Sequence, residues 1–173
     1  MGEAPRKALG RAHGAIALDT FGGRIHVEWD PAAAGTPLGQ LPFFIEFLKV
    51  SGLFEAWVAD CPLAYHSNHA SDKRAVLATL LLSILAGHYR YAHITAIRHA
   101  GTHPELLGVS RLVSEDAARR ALTRIDESSG VAWLDRHLAT TTTPLLTTPW
   151  ILDLDATVKC LYGKQEGAVV GYN

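Results

Sequence analysis

Cysteine is nearly absent. Cys61 and Cys160 lie far apart and form no C-x-x-C spacing, so a cysteine-based zinc or redox motif is excluded. Two reduced thiols of a cytosolic protein are the plain reading. An excess of charge of one sign is lacking too: 16 lysines and arginines oppose 17 aspartates and glutamates, for a formal net charge of −1. The basic excess typical of nucleic-acid-binding domains is therefore missing from the chain as a whole, although a local basic face is compatible with a neutral total. No apolar run reaches the roughly 20 residues that a membrane span needs. The most apolar stretch, Ala75 to Gly87, contains Thr79 and Ser83 and is read as a buried core helix. Met1 to Lys7 carry no apolar signal-peptide core, so a cytoplasmic protein without membrane contact is expected. There is no internal repeat and no low-complexity tract.

What is present is enough apolar material, 48% of 173 residues, for a packed core in one medium domain or a small domain with part of a second. Residues 1–22 are Gly/Ala-rich and read as a mobile N-terminus. Arg24 to Asp30 alternates apolar and polar residues, the period of a half-buried strand. Leu41, Phe44, Ile45 and Leu48 are spaced by three and four, which predicts an amphipathic helix within 38–53. Ser71 is the expected cap of a helix carrying Val76, Leu77, Leu80, Leu81, Ile84 and Leu85. A further helix is expected from Tyr91 to Ala100. Ser114 followed by Glu115 and Asp116 marks another helix start, with Ala118, Leu122 and Ile125 as its apolar seam. Ser128-Ser129-Gly130 is read as its end. Val131, Leu134 and Leu138 carry the next helix, which stops near Pro144.

From Pro149 the pattern changes to strand. Leu152, Leu154 and Ala156 face one way, and Ile151, Asp153, Asp155 and Thr157 face the other. Gly163 to Gly167 reads as a hairpin loop and Ala168 to Val170 as the returning strand. Carboxylates repel one another and are costly to desolvate unpaired. Two on one strand face therefore suit either a solvated surface, paired with Lys159 or Lys164, or a divalent cation held by hard oxygen ligands. Two such ions can activate a nucleophile and stabilise the leaving oxygen in phosphodiester chemistry.

The string Asp153-Leu154-Asp155-Ala156-Thr157-Val158-Lys159, followed by Leu161-Tyr162-Gly163-Lys164-Gln165-Glu166-Gly167-Ala168 and Gly171-Tyr172-Asn173, resembles the first catalytic block of bacterial insertion-sequence transposases with a DDE-type, RNase H-like domain. Arg90 to His93, Ser114 to Leu122 and Trp133-Leu134 resemble the helical N-terminal region of the same family. The resemblance covers about residues 24–173. It implies an α+β chain: 1–22 a flexible N-terminus, 23–146 a mainly helical DNA-binding and linker region, and 147–173 the first strands of an incomplete RNase H-like domain. It makes Asp155 the first catalytic acid and a metal ligand, with Asp153 as the second candidate. The implied cofactor is Mg²⁺ or Mn²⁺, and tight binding to this chain alone is not expected. The family also needs a later Asp and a later Glu, so the chain is expected to be a truncated transposase, inactive by itself. Cys160 departs from a proline expected in relatives.

The implied partners are DNA at the terminal inverted repeats of the element and, through self-association, another copy or an intact transposase. The implied location is the bacterial nucleoid. Arg119, Arg120 and Arg124, with Lys159 and Lys164, are the expected DNA contacts. Arg120 and Arg124 are one helical turn apart and could reach two phosphates. The helix before Gly101, the Gly101-to-Arg111 connection and the Ser114 helix together suggest a helix-turn-helix-like unit. A solvated face with Asp116–Arg120 and Arg120–Arg124–Glu127 contacts is the competing reading of the same arginines. Two rival functions stand beside the transposase: a non-catalytic DNA-binding protein that modulates transposition, and a glycosyltransferase whose Asp-x-Asp holds Mn²⁺. The latter is disfavoured because no alternating βα pattern precedes the acidic strand. His66, His69, His88, His93, His99 and His103 have no paired metal-ligand spacing, and Trp29, Trp57, Trp133 and Trp150 are read as core anchors.

Overall fold

The computed structural model describes residues 14–32, 38–65, 70–99, 103–147, 149 and 151. Among these the protein is α+β with a helical majority: one two-stranded antiparallel sheet and six α-helices, with short 3₁₀ turns between and after them. The chain divides into two compact units, Met1–His137 and Leu138–Asn173.

The first unit opens with β1 (Ile16–Thr20) and β2 (Gly23–Val27). Pairing of Thr20 with Gly23 leaves Phe21 and Gly22 as a two-residue turn, and the Thr20 hydroxyl donates to the Gly23 carbonyl at 2.7 Å to close it. β1 lies inside the stretch read as a mobile N-terminus, so that reading is corrected for 16–20. The alternation that makes β1 a strand is short: Leu18 and Thr20 are buried while Ala17 is exposed. β2 in turn stops at Val27, three residues before the sequence suggests.

α1 (Leu41–Ser51) buries Ile45 and Leu48 and ends at Gly52, whose φ of 69° is left-handed. Glycine reaches that conformation without a Cβ penalty, and α2 (Leu53–Asp60) starts directly after it. The hairpin docks on α1 through polar contacts: Glu46 accepts from the Asp19 amide at 2.8 Å and Lys49 Nζ donates to the Thr20 carbonyl at 2.8 Å.

α3 (Lys73–Leu85) is the centre of the core, with Val76, Leu77, Ala78 and Thr79 all fully buried. A helix buried on most sides shows little amphipathic periodicity, as its apolar run suggests. Its cap is Asp72, which accepts from the Ala75 amide at 3.0 Å. Ser71, the residue expected in that role, stands one position too early. Arg74 crosses to neighbouring elements. Its Nη1 donates to Glu55 at 2.8 Å, its Nε donates to the Leu107 carbonyl at 3.0 Å, and its guanidinium stacks over Phe21 and Phe54.

The helix expected at 91–100 is a 3₁₀ turn, Tyr91–His93, followed by α4 (Ile94–His99). α5 (Glu115–Leu122) and α6 (Glu127–Thr142) complete the helices. Ser128-Ser129-Gly130 is the first turn of α6 rather than a break. Asp126 just ahead of it accepts from the Ser129 amide at 3.1 Å and from both serine hydroxyls. Trp133 packs α6 onto α2: its ring stacks on Trp57 with centroids 5.0 Å apart, and its Nε1 donates to the Trp57 carbonyl at 3.0 Å. Trp29, by contrast, is 64% exposed and is no core anchor.

In the second unit the last residues of α6 are followed by the 3₁₀ turn Thr143–Leu145. The Thr141 and Thr142 hydroxyls donate to the Leu138 carbonyl at 2.9 and 2.8 Å. The acidic strand expected at 149–157 and the returning strand at 168–170 lie outside the described residues, apart from Pro149 and Ile151.

Candidate nucleic-acid interface

α5 is held at its start by two devices. Ser114 accepts from the Ala117 amide at 3.2 Å, and Glu115 and Asp116 place negative charge where the helix dipole favours it. Just upstream, the Val113 amide donates to the Thr79 hydroxyl of α3 at 3.0 Å, and that hydroxyl donates to the Ala75 carbonyl at 2.7 Å. Both groups are buried, so this pair fixes where α5 begins relative to the core helix. Ala118 and Ala121 face inward, at 0% and 3% exposed. Small residues there let α5 lie close against α3 and the Tyr91–His93 turn. Arg119 and Arg120, on the positions between, are therefore exposed.

The three arginines differ in what they meet. The Arg119 guanidinium sits 5.5 Å from the Tyr91 ring centroid and 4.0 Å from Glu115 Oε1. A surface pair at that distance contributes little, and the aromatic ring mainly restricts where the charge can go. Arg120 and Arg124 have no ion pair among the described residues, so the Asp116–Arg120 and Arg120–Arg124–Glu127 contacts of the competing reading do not form.

α5 ends at Leu122, and the chain then tightens into a turn in which the Arg124 amide donates to the Ala121 carbonyl at 3.1 Å. Arg124 thus lies beyond the regular helix, and the idea of two arginines stacked one α-helical turn apart is corrected. Instead both line one recess of about 240 Å³, together with Tyr65, Ala70, Ser71, Ala117 and Ala121. The Tyr65 hydroxyl is buried and has no hydrogen-bond partner among the described residues. Burial pushes its phenol above the ordinary value, and the nearby Arg124 charge pulls the other way. At neutral pH it remains a proton donor.

The helix-turn-helix-like unit proposed from the sequence is not formed by α4 and α5. Fifteen residues separate His99, the end of α4, from Glu115, the start of α5, among them the 3₁₀ turn Pro104–Leu107, whereas a helix-turn-helix uses a turn of about three or four. α5 packs instead on α3 and on the Tyr91–His93 turn.

Asp153, Asp155, Lys159 and Lys164 lie outside the described residues, as do His66, His69 and Trp150. Among the described residues no group of three or more His, Cys, Asp or Glu side chains is arranged to hold a metal ion. His88 and His93 pack edge to face with ring centroids 5.1 Å apart, His99 Nδ1 lies 2.7 Å from the Thr95 carbonyl, and His103 pairs with Glu105 at 2.8 Å. Among the described residues no helix is long and apolar enough to cross a membrane.

Sequence reading missed Tyr65 and Thr79. Tyr65 sits in a non-periodic segment remote from α5, and nothing in its neighbourhood signals a role. Thr79 does carry a signal: a hydroxyl within an apolar helix must find a partner when buried. Comparison with protein-family models, curated proteins and solved structures finds no match to this chain.

Proposed function

We propose that this chain is part of an insertion-sequence DDE transposase, and that its described helical region binds DNA through the exposed arginines at the end of α5. The observation that carries the DNA-binding reading is the pair Arg120 and Arg124, two guanidiniums at one recess with no carboxylate partner among the described residues. Unneutralised surface arginines that converge are suited to backbone phosphates. The catalytic assignment rests on the resemblance of residues 153–173. In it Asp155, with Asp153 beside it, ligates Mg²⁺ or Mn²⁺, and Lys159 and Lys164 approach the nucleic acid. The bound ions would supply activation of the attacking oxygen and stabilisation of the leaving one. The RNase H-like character of the second unit belongs to this proposal as well.

A glycosyltransferase fits less well, because the strands among the described residues are one antiparallel hairpin and not alternating βα units. A non-catalytic DNA binder that modulates transposition uses the same arginine face, and catalysis separates the two readings. Titration of a duplex carrying the flanking inverted repeats tests the binding. The chain should hold it more tightly than a shuffled duplex, and Arg120→Ala/Arg124→Ala should weaken it. Equal affinity for both duplexes contradicts recognition of element ends. Strand cleavage with Mg²⁺ or Mn²⁺ tests the chemistry. Turnover abolished by Asp155→Asn identifies the acid, and turnover that this substitution leaves unchanged contradicts the assignment.

A further inference from the structure

We infer that the recess at the end of α5 seats a single phosphate group, gripped jointly by Arg120, Arg124 and the Tyr65 hydroxyl, and that the group it takes is a backbone diester of DNA. The inference rests on the DNA-binding reading above and sharpens it, because two arginines acting on one phosphate differ measurably from two arginines on two.

The recess is about 240 Å³, below the usual range of pockets for drug-sized ligands. That size suits a tetrahedral oxyanion. Side chains bearing three kinds of donor line it. The guanidiniums of Arg120 and Arg124 supply planar, permanently charged forks that match phosphate oxygens. The Tyr65 hydroxyl is buried and lacks a partner among the described residues, an arrangement that costs free energy until an acceptor arrives. Ser71 adds a hydroxyl to the lining.

Charge in the surroundings agrees. Two acids adjoin this lining in sequence: Asp72, whose carboxylate caps α3 through the Ala75 amide at 3.0 Å, and Asp116, in the first turn of α5. Neither acid forms an ion pair with Arg120 or Arg124 among the described residues. Arg120 and Arg124 are both exposed, so a long polymer can pass the recess and present one phosphate to it. The tightened turn after Leu122 is what brings Arg124 to the same recess as Arg120.

The test is a titration of the full chain with a short fluorescent duplex over a range of salt, for wild type, Arg120→Gln/Arg124→Gln and Tyr65→Phe. The arginines are exposed and Tyr65→Phe keeps the ring, and a melting curve of each variant verifies that it folds. For one shared phosphate, the double variant flattens the slope of log K against log salt by about 0.9, whereas two separate phosphates give about 1.8. Tyr65→Phe weakens binding about tenfold, the loss of one hydrogen bond to a charged group, and leaves the slope unchanged. A slope change near the larger value, or Tyr65→Phe binding like wild type, overturns the shared seat. A second arm titrates inorganic phosphate alone. If wild type binds it, the double variant does not, and duplex binding is unaltered between them, the seat serves free phosphate and the DNA assignment is overturned. Failure of wild type to bind any duplex at low salt sinks the DNA-binding reading itself. That result is distinct from Tyr65→Phe binding like wild type while the double variant binds more weakly, which sinks only the seat.

Discussion

Replacing Thr79 by valine keeps the shape of the side chain and removes one oxygen. That oxygen is fully buried, donates to the Ala75 carbonyl at 2.7 Å and accepts from the Val113 amide at 3.0 Å. The Ala75 carbonyl is already an acceptor within α3, so its loss is small. The Val113 amide is not so placed. Val113 is 6% exposed, and valine at 79 leaves its N–H facing hydrocarbon, a penalty of about 1–3 kcal/mol. Burying a methyl in place of the hydroxyl returns a fraction of this. The expected net loss is about 2 kcal/mol, or a melting temperature lower by about 4–8 °C for a domain of this size. Thr79→Ser is the control. It retains both hydrogen bonds and loses one buried methyl, worth about 0.8 kcal/mol. The assay is thermal unfolding of both variants beside wild type, with hydrogen exchange at the Val113 amide as the local readout. Valine should melt below serine and its Val113 amide should exchange faster. A valine variant as stable as the serine variant refutes the reasoning that this hydroxyl fixes the start of α5.

Two further predictions follow from local geometry. Gly22→Ala should destabilise by about 2 kcal/mol, because a Cβ there would meet the Glu105 carbonyl oxygen at 2.3 Å and the hairpin or the Pro104–Leu107 turn must move; a melting curve like wild type contradicts the close approach. Asp126 has its pKa lowered by hydrogen bonds from the Ser128 hydroxyl first and then from Ser129. A depressed folded-state value means that its contribution is complete above the unfolded value, near about 4, and is lost as pH falls through the folded value. Helix signal from α6 should therefore decline below about pH 4. Asp126→Ala should lower the helix signal at neutral pH and blunt its acid dependence, and an unchanged acid profile contradicts the capping role.

The α+β class with a helical majority was legible because the dominant signals are local. α3 announces itself by an apolar run too long for a strand, and α5 by Ser114 with two acids behind it. Where the reading failed, a signal of one kind was outweighed by another. Ser128-Ser129-Gly130 looks like a helix breaker, but Asp126 caps α6 just ahead of it, and a side chain at Gly130 would come within 3.1 Å of Ile125 Cγ2. The glycine there answers to packing and not to a turn. The helix expected within 38–53 is α1, which Gly52 ends with its left-handed φ; α2, which begins at the next residue, was not foreseen. β1 was passed over because five residues of weak alternation carry little pattern, and its stability comes from Glu46 and Lys49 on a helix distant in sequence.

The candidate site was legible in part. Arg119, Arg120 and Arg124 were readable as a basic cluster, and their exposure agrees with that. Their unequal status was not readable: Arg119 engages Tyr91, whereas Arg120 and Arg124 share a recess with Tyr65. No spacing rule links Tyr65 to α5, because the link is made by chain crossing through the core.

Hydrogen exchange of the chain alone and saturated with an inverted-repeat duplex tests the central claim most directly, since it locates the contact as well as detecting it. The account predicts slowed exchange at the end of α5 and the following turn, residues 119–126, and around Tyr65 and Ser71. Slowing confined to other parts of the described region, or no change anywhere on a duplex that demonstrably binds, contradicts it.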